Sequence, residues 1–382
     1  LINPKKKCDY ENYNYLCASF LTYLFLDLFI KKNSLNISMK QFLIYVMMAT
    51  VTDVMPIRNI NRFLSISVLK KFDLSNDFII KKFFEIKKIK KRINIDDLGF
   101  FLGPILNSVG RIDNANKVVE LLTSSNKSIQ ANLINEFYLL NNKRKDFENR
   151  NMKLLNFDKL NEKDKIIFVY KSNIPEGIIG IIAARLKDYF NKPCVVLTSS
   201  GNKIKGSARS TKDFDIGIYI NKAVQENILL SGGGHNLAAG VQLNKGNLQN
   251  FQNYLNSIYK KKKNNFHNNE YIHKISLSSA NKNLSIQLNK LGPFGSHNLK
   301  PLFLIESCRI IKPKILKDKF VSCFIKSKTG QMIKAISFQR IESKISNQLM
   351  NNNNEINLIV MINENFWNNN SSTQLEIVDI IL

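Results

Sequence analysis

The sequence predicts an α/β protein with several domains, the last of them rich in β-strands. Between residues 164 and 260, strand-like runs such as DKIIFVY and KPCVVLTS take turns with helix-like runs such as GIIGIIAARLKDYF and FDIGIYINKAV. This alternation is typical of an α/β domain. The length of 382 residues, 44% of them hydrophobic, is enough to give two or three domains a core each.

The first part of the chain, residues 1–95, predicts helices. The apolar run YLCASFLTYLFLDLFI at residues 15–30 is shorter than the ~20 residues of a membrane span and contains Asp27, which favours a buried core helix. The segment KKFFEIKKIKKR at residues 81–92 predicts a basic helix that has a solvated face or connects two domains. A further helical stretch, residues 100–158, predicts a connector with one unusual loop, FLGPILNSVGR.

A linker rich in lysine and asparagine, KKKKNNFHNN at residues 260–269, precedes the last domain. The β-like runs that follow it are PLFLIESCRII, FVSCFIKS, MIKAISF, INLIVMI and TQLEIVDIIL. Several strands at this spacing, over about a hundred residues, predict a small barrel such as an OB-fold, which often binds single-stranded nucleic acid.

The composition predicts a polyanionic partner and a reducing compartment. Lys and Arg total 56 against 30 Asp and Glu, which gives a net charge of +26, and such a surface attracts nucleic acid. The abundance of Lys, Asn and Ile also fits AT-rich codon usage, which would explain part of the lysine excess without any function. The five cysteines show no CxxC spacing, which predicts a cytoplasmic protein without a zinc site.

The segment GSARS, from Gly206 to Ser210, contains the groups of a phosphate pocket. Arg209 can donate to two phosphate oxygens, while Ser207 and the glycine amide donate to a third. An ordinary turn followed by a helix N-cap would have the same composition. Both interpretations stay open on this segment alone.

Three further stretches contain candidate functional residues. SGGGHNLAAG at residues 231–240 predicts a tight glycine loop that a small group approaches near His235, although a lone histidine is more often structural, and the loop does not fit the GxGxxG pattern. In FLGPILNSVGR, the polar pair Asn107 and Arg111 suits either a ligand or a capped helix end. Asp53 closes the apolar run YVMMATVTDVMP, where its carboxylate needs a metal ion, a helix N-terminus or a basic partner.

Taken together, these stretches resemble the RecJ exonucleases, the single-strand-specific 5′ to 3′ nucleases of the DHH phosphoesterase superfamily. INPKKK resembles the segment after that family's DHH motif, ATVTDVMPIRNINRF its last metal-ligand motif, and FLGPILNSVGR its Pro-x-x-Asn-x-x-Gly-Arg element. GIIGIIAARL, KGSARS and GGGHNLAAG resemble the DHH-associated substrate-binding domain, while LGPFGSHNLKP and NENFWNNNSSTQLEIVDI resemble the two ends of the family's OB-fold.

The resemblance implies four domains and a role for each matching residue. The domains are the C-terminal part of a DHH domain at residues 1–98, a helical connector at 99–160, an α/β DHH-associated domain at 161–262 and the OB-fold at 268–382. Asp53 would bind one of two catalytic manganese or magnesium ions, and Arg111 and His235 would act on the substrate phosphates near them. The phosphate-binding positions would be Ser207, Arg209, Gly206, Asn107, Gly233 and Gly234.

The implied activity is two-metal hydrolysis of single-stranded DNA in repair and recombination, with single-strand-binding protein and a repair helicase as candidate partners and no membrane. The family's other metal ligands lie in an Asp-x-Asp motif, a further Asp and an Asp-His-His motif; we match none of these to the sequence and expect all of them upstream of Leu1. We therefore expect a fragment that is inactive alone, because one aspartate does not hold two divalent ions. The family's Trp-His-x-Gly is replaced by Ile174, Pro175, Glu176 and Gly177.

Two alternatives to an exonuclease stay open at this point. One is a binding module that holds single strands through the phosphate pocket and the barrel without catalysis. The other is a DHH phosphodiesterase of short oligonucleotides or cyclic dinucleotides. The C-terminal barrel argues against the second, because those relatives generally lack one.

Overall fold

The computed structural model describes residues 3–4, 13–89, 91–155, 165–259, 271–317, 319–339, 341, 343–351, 354–367 and 370–381. The predicted linker at residues 260–269 and most of the INPKKK segment lie outside these ranges. The chain forms two compact units, one of Leu1–Phe72, Ile93–Gly99 and His267–Leu382, the other of Asp73–Arg92 and Phe100–Phe266.

Helices and strands follow one another in blocks along the chain. Within the described residues the helices are α1 (Ala18–Lys32), α2 (Leu43–Thr52), α3 (Asn59–Lys71), α4 (Phe78–Ile86), α5 (Gly103–Ile112), α6 (Asn116–Thr123), α7 (Lys127–Leu154), α8 (Glu176–Phe190), α9 (Ile216–Gln225), α10 (Leu248–Ile258), α11 (Lys282–Asn289) and α12 (Lys344–Asn351). The strands are β1 (Ile167–Tyr170), β2 (Cys194–Ser200), β3 (Lys203–Arg209), β4 (Ser231–His235), β5 (Ala238–Asn244), β6 (His273–Lys274), β7 (Phe303–Leu316), β8 (Phe320–Lys326), β9 (Met332–Ser337), β10 (Ile356–Trp367) and β11 (Asn370–Ile381).

The α/β part, predicted from the alternating runs, is confirmed as a mixed five-stranded sheet of order β1-β2-β3-β5-β4. β1 and β2 are parallel, and the other neighbours are antiparallel. On one face Ile204, Ala208 and Val241 pack with Ile220 of α9 and Phe251 of α10. On the opposite face the core formed with α7 and α8 reaches only β1 and β2. α8 also packs against β3 at Gly180, and the rest of this half of the face, over β5 and β4, is left open.

The barrel predicted for the last domain is also confirmed. Its strands are hydrogen-bonded in the order β10-β11-β9-β8-β7, and a further pairing of β10 with β7 closes the ring. Numbered within the barrel, the order is 1-2-3-5-4-1, which is the OB-fold arrangement. β11 runs parallel to β9, and α12 lies between β9 and β10 in the chain. The inward residues, among them Val321, Leu358 and Leu375, form one core.

Two local predictions are wrong. The glycine-rich segment is not a loop: β4 and β5 pair through a two-residue turn at Asn236 and Leu237. Glycine is needed in this strand because α9 packs closely beneath it, so that a Cβ at Gly232 would lie 2.8 Å from Ile220 Cγ2. FLGPILNSVGR is likewise a helix, α5, which follows a π-helical turn at Asp97–Leu102.

The expected burial differs in the first unit. The apolar run near the start forms α1, but only Phe20 is buried, and Leu28 and Phe29 are 66% and 51% exposed. In the basic segment at residues 81–92 the helix ends at Ile86; α4 buries Phe83 and Phe84, and Lys81 and Glu85 form its solvated face. In the ranges described, no helix is both long and apolar enough to cross a membrane.

Candidate functional site

Three of the predicted site residues lie on the open half of the sheet. β3 alternates strictly between buried and half-buried positions, so Ser207 and Arg209 point away from the core that Ala208 enters. Directly opposite residues of antiparallel strands point to the same face. Arg209 lies opposite Ala238, which lies opposite His235. Ser207, Arg209 and His235 therefore share the open face.

The glycines of this sheet have different functions. Gly240 lies opposite both Ser207 and Gly233, and no atom of the described residues lies within 4 Å of the position that its Cβ would occupy. This row of the open face is thus almost free of side chains. Gly206 and Gly234 serve packing instead: a Cβ at Gly206 would overlap Leu197 and lie 2.6 Å from Val241 Cγ2, and one at Gly234 would overlap Ala238 and Ala239 at the start of β5.

Gly206 does not form the expected turn. It lies in the middle of β3, between β2 and β5, where the backbone groups of a strand face its neighbours. The amide is therefore directed along the sheet instead of toward a ligand above it. The residue is glycine because the core on its side has no room for a side chain.

Arg209 and Ser207 form the centre of a small polar pocket beside α8. Arg209 Nη1 donates to Ser207 Oγ at 3.0 Å and to the Ala208 carbonyl at 2.8 Å. A Cβ at Gly180 of α8 would lie 3.1 Å from Arg209 Nη2 and 3.2 Å from Ser207 Oγ. Only a glycine at this helix position leaves the guanidinium and the hydroxyl uncovered.

Arg111 of α5 contacts α8 three residues before Gly180. Its Nη1 donates to the Gly177 carbonyl at 2.9 Å, and a Cβ at Gly177 would overlap the backbone of Arg111. Burial lowers the pKa of Arg209, and the positive charge of Arg111 lowers it further. The pKa of Arg111 is lowered by burial and by Arg144, while Glu148 opposes this.

The pocket therefore has excess positive charge. Arginine stays protonated in proteins even when its pKa falls. In the part of the chain that the structure describes, no acidic side chain forms an ion pair with Arg111 or Arg209. Two guanidinium groups and one hydroxyl that converge without an internal anion are suited to bind a phosphate.

Asn107 and His235 lie at the margins of this pocket. Asn107 is exposed on α5, one helical turn before Arg111, so it belongs to a helix and not to the predicted loop. His235 is exposed at the end of β4, where its Nδ1 accepts from the Leu237 amide at 3.4 Å. Since it lies two strands from Arg209, the separation is about 10 Å, twice the interstrand spacing.

Asp53 belongs to the other compact unit. It caps the C-terminal end of α2, and its side chain is exposed. Among the described residues, no group of three His, Cys, Asp or Glu side chains is placed to hold a metal ion. A Mn²⁺ or Mg²⁺ ion takes about six ligands, most of them oxygens. Asp53 can supply one of these, so the residues described do not form a complete metal site.

The segment that follows Asp53 is hydrogen-bonded to the loop at residues 291–296, which precedes the first long strand of the barrel in the same unit. The Ile57 amide donates to the Ser296 carbonyl at 2.7 Å. Arg62 Nη2 donates to the carbonyls of Leu291 and Gly292, each at 3.0 Å. The barrel thus helps to hold the segment that ends in α3.

Two sequence features that invite a functional interpretation have structural partners. Asp215, in the Asp-x-Asp pattern at residues 213–215, caps α9 by accepting a hydrogen bond from the Ile218 amide at 3.2 Å.

Ile174, where the family carries tryptophan, is buried, and its carbonyl accepts a hydrogen bond from Thr198 Oγ1 at 2.7 Å. Glu176 pairs with Lys205 at 2.8 Å, and hydrogen bonds from Lys205 and Ser200 lower its pKa.

The barrel has a second candidate surface on its outer face. Along β8, Phe324 and Lys326 point outward, and Phe324 is 40% exposed. Phe324 lies opposite Lys334 of β9, and Lys326 lies opposite Arg309 of β7. An exposed aromatic ring among cationic side chains is suited to stack a base and to contact phosphates. We call Arg309, Phe324, Lys326 and Lys334 the barrel face.

Comparisons with known proteins agree with this architecture. Two family models match: the DHHA1 domain over residues 163–261 and the RecJ OB domain over residues 272–379. The single-stranded-DNA-specific exonuclease RecJ of Bacillus subtilis is 26% identical over 343 residues, which are 86% of this chain and 42% of that protein. The RecJ of Salmonella typhimurium is 25% identical and covers 100% of this chain and 70% of its own length.

Solved structures show the same fold. The crystal structure of RecJ in complex with Mn²⁺ from Thermus thermophilus superposes with a TM-score of 0.73 at 19% identity and covers 89% of this chain and 49% of its own. The complex of the same protein with Mg²⁺ gives a TM-score of 0.72. The chain thus spans about half the length of most of these relatives.

The chain thus contains a DHHA1 domain followed by a RecJ OB domain. In both domains it is similar to the RecJ family, and the relatives compared above are named single-stranded-DNA-specific exonucleases.

The closeness of Gly180 to the pocket gives a direct test of the geometry. Gly180→Leu places a side chain against Arg209 Nη2 and Ser207 Oγ, so the affinity for a single-stranded oligonucleotide with a 5′-phosphate should fall by about tenfold. Fluorescence anisotropy measures this affinity. Gly246→Leu is the control, because no atom lies within 4 Å of a Cβ there. Equal affinities of the two variants would contradict the assigned pocket.

Proposed function

We propose that this chain is the strand-binding part of a 5′ to 3′ exonuclease, and that the pocket of Arg111, Ser207 and Arg209 holds the 5′-terminal phosphate of single-stranded DNA. The observation that carries the proposal is the pair of guanidinium groups that converge without an acidic partner in the described residues. A terminal phosphate carries between one and two negative charges at neutral pH, against one for an internal diester. The pocket therefore distinguishes the end of a strand from its interior.

The open sheet face supports a path for the strand that leads away from this end. Gly240 and Gly233 leave room for a sugar-phosphate backbone next to Ser207, and His235 faces the same surface. β4 is the edge strand of the sheet, so its outer backbone groups are available to a ligand. In this proposal His235 and Asn107 contact the strand near its end, without a direct contact with Arg209.

The barrel face is proposed to hold the strand beyond the pocket. Phe324 would stack on a base, while Lys326 and Lys334 would contact phosphates, which gives affinity without preference for sequence or for the chemistry of the end. The pocket would recognise the 5′-phosphate, and the cationic barrel face would bind the rest of the strand. The protein would thus require a strand end and still bind DNA of many sequences.

Hydrolysis is proposed for the complete enzyme only. The family resemblance implies two Mn²⁺ or Mg²⁺ ions, which would activate water and stabilise charge on the phosphoryl oxygens. Asp53 is the one residue here that we assign to those ions, and the described residues do not complete the site. What this chain contributes is the binding and orientation of the strand. A role in repair and recombination, with the candidate protein partners named above, rests on the resemblance alone.

Removal of the Arg209 guanidinium should abolish discrimination between ends. Arg209→Ala is expected to weaken binding of a 5′-phosphorylated single strand by about tenfold or more, with little change for the 5′-hydroxyl strand, because only the phosphorylated end uses the charge-assisted hydrogen bonds. The matched control, Lys334→Ala on the barrel face, should weaken both strands equally and reduce the salt dependence by about one unit of slope. Equal loss of both strands in Arg209→Ala would refute the proposed role.

The chain alone should bind without cutting. In the presence of Mn²⁺, a 5′-phosphorylated single strand labelled at its 3′ end should give a stable rise in anisotropy and full-length product on a denaturing gel. The physical reason is that one carboxylate does not hold the two ions. Shortening of the strand that is abolished by Asp53→Ala would show that further ligands complete the site.

A further inference from the structure

A buried carboxylate on α7 pairs with α8, the helix that contacts the phosphate pocket. The side chain of Glu148, on α7, is only 1% exposed. Its Oε2 pairs with Arg144 Nη1 at 3.0 Å, one turn earlier on the same helix, and its Oε1 pairs with Arg185 Nε of α8. One carboxylate thus uses both oxygens on two arginines, and so links the long helix to the helix that carries Gly177 and Gly180.

Arg144 is held from two sides. Its side chain is 12% exposed, and its Nε also donates to Asn141 Oδ1 at 3.2 Å. A guanidinium that is fixed by Asn141 and Glu148 cannot turn toward solvent without breaking both contacts. Its charge therefore acts from a fixed position, and Arg111 experiences it: Arg144 lowers the pKa of Arg111, while Glu148 raises it.

The four arginines and the single glutamate form one electrostatic group. Among the described residues, Glu148 forms ion pairs with Arg144 and Arg185 and none with Arg111 or Arg209, which face the pocket. If Glu148 paired with Arg111 or Arg209, it would compete with the ligand for that guanidinium. A buried carboxylate without partners destabilises the protein. The ion pairs with Arg144 and Arg185 therefore satisfy Glu148 away from the pocket arginines.

We propose that Glu148 is a positioning residue of the phosphate pocket: through Arg144 and Arg185 it joins α7 to α8, and so holds α8 where its Gly177 carbonyl fixes Arg111 and its Gly180 lies against Arg209, with both guanidinium groups available to a terminal phosphate. This inference rests on the proposed function of the pocket. It assigns to a buried ion pair a role in ligand discrimination in addition to its role in joining α7 and α8.

Glu148→Gln tests this role with little change of shape. A glutamine accepts from one arginine only, because its amide N–H groups oppose the N–H groups of the other. Arg144 is then released, and the preference for a 5′-phosphorylated over a 5′-hydroxyl strand should fall by about fivefold, measured as the ratio of the two Kd values by anisotropy. Glu148→Asp keeps the charge and should restore part of that preference.

The control lies on the same helix. Glu136 of α7 pairs with Lys117 at 2.6 Å on α6, and it contacts no pocket residue. Glu136→Gln should leave the preference ratio unchanged. An unchanged or increased ratio in Glu148→Gln, with parallel loss of affinity for both strands, would overturn the proposal and leave Glu148 as a link between helices.

Two further measurements keep the test decisive. If Glu148→Gln does not fold, as judged from thermal unfolding, Arg144→Lys replaces it: lysine keeps the charge but not the two-sided contact with Asn141 and Glu148, and the same drop in the ratio is expected. Arg209→Ala measured in parallel separates the two proposals. An unchanged ratio there refutes the pocket itself, whereas a lowered ratio there with a normal ratio in the Glu148 and Arg144 variants refutes only the positioning role.

Discussion

The close crossing of α5 and α8 at Gly177 is the contact on which the site depends. Because Gly177 has no side chain, the backbone of Arg111 lies directly against α8, and the Arg111 guanidinium bonds to the Gly177 carbonyl. One turn further along α8, Gly180 leaves space for the half-buried Arg209 and Ser207. Two glycines at a spacing of three thus bring a connector helix, a sheet strand and a covering helix to one point.

The asymmetry of the sheet explains why a ligand surface exists at this point. One face is covered by α9 and α10, whereas the apolar core on the other face reaches only β1 and β2, and α8 meets β3 at Gly180. The polar residues of β3 therefore meet solvent next to a helix instead of entering a core. Several arginines close together repel one another. Glu148 reduces this repulsion by pairing with Arg144 and Arg185, and it leaves Arg111 and Arg209 available to a ligand.

Helices and strands with a strong apolar periodicity could be predicted from the sequence. Features that depend on contacts between distant residues, such as the glycine-rich edge strand and the buried ion pair, could not. The five barrel strands and the alternating helices and strands follow from their apolar patterns. The segment at residues 231–235 was misjudged, because glycine in series usually indicates a loop, whereas here it permits an edge strand to lie close to α9. The Arg144–Glu148 pair, one turn apart in a polar helix, looks from the sequence like a solvated face, and only its packing shows that it is buried. The spacing of Gly177 and Gly180 was the available signal for the crossing.

The most direct test of the account is a crystal structure of this chain with a 5′-phosphorylated trideoxynucleotide. The account predicts that the terminal phosphate lies within hydrogen-bond distance of Arg111, Ser207 and Arg209, with the next nucleotides along the open face toward Gly240. A terminal phosphate bound elsewhere, with only internal phosphates or no ligand in this pocket, would contradict it.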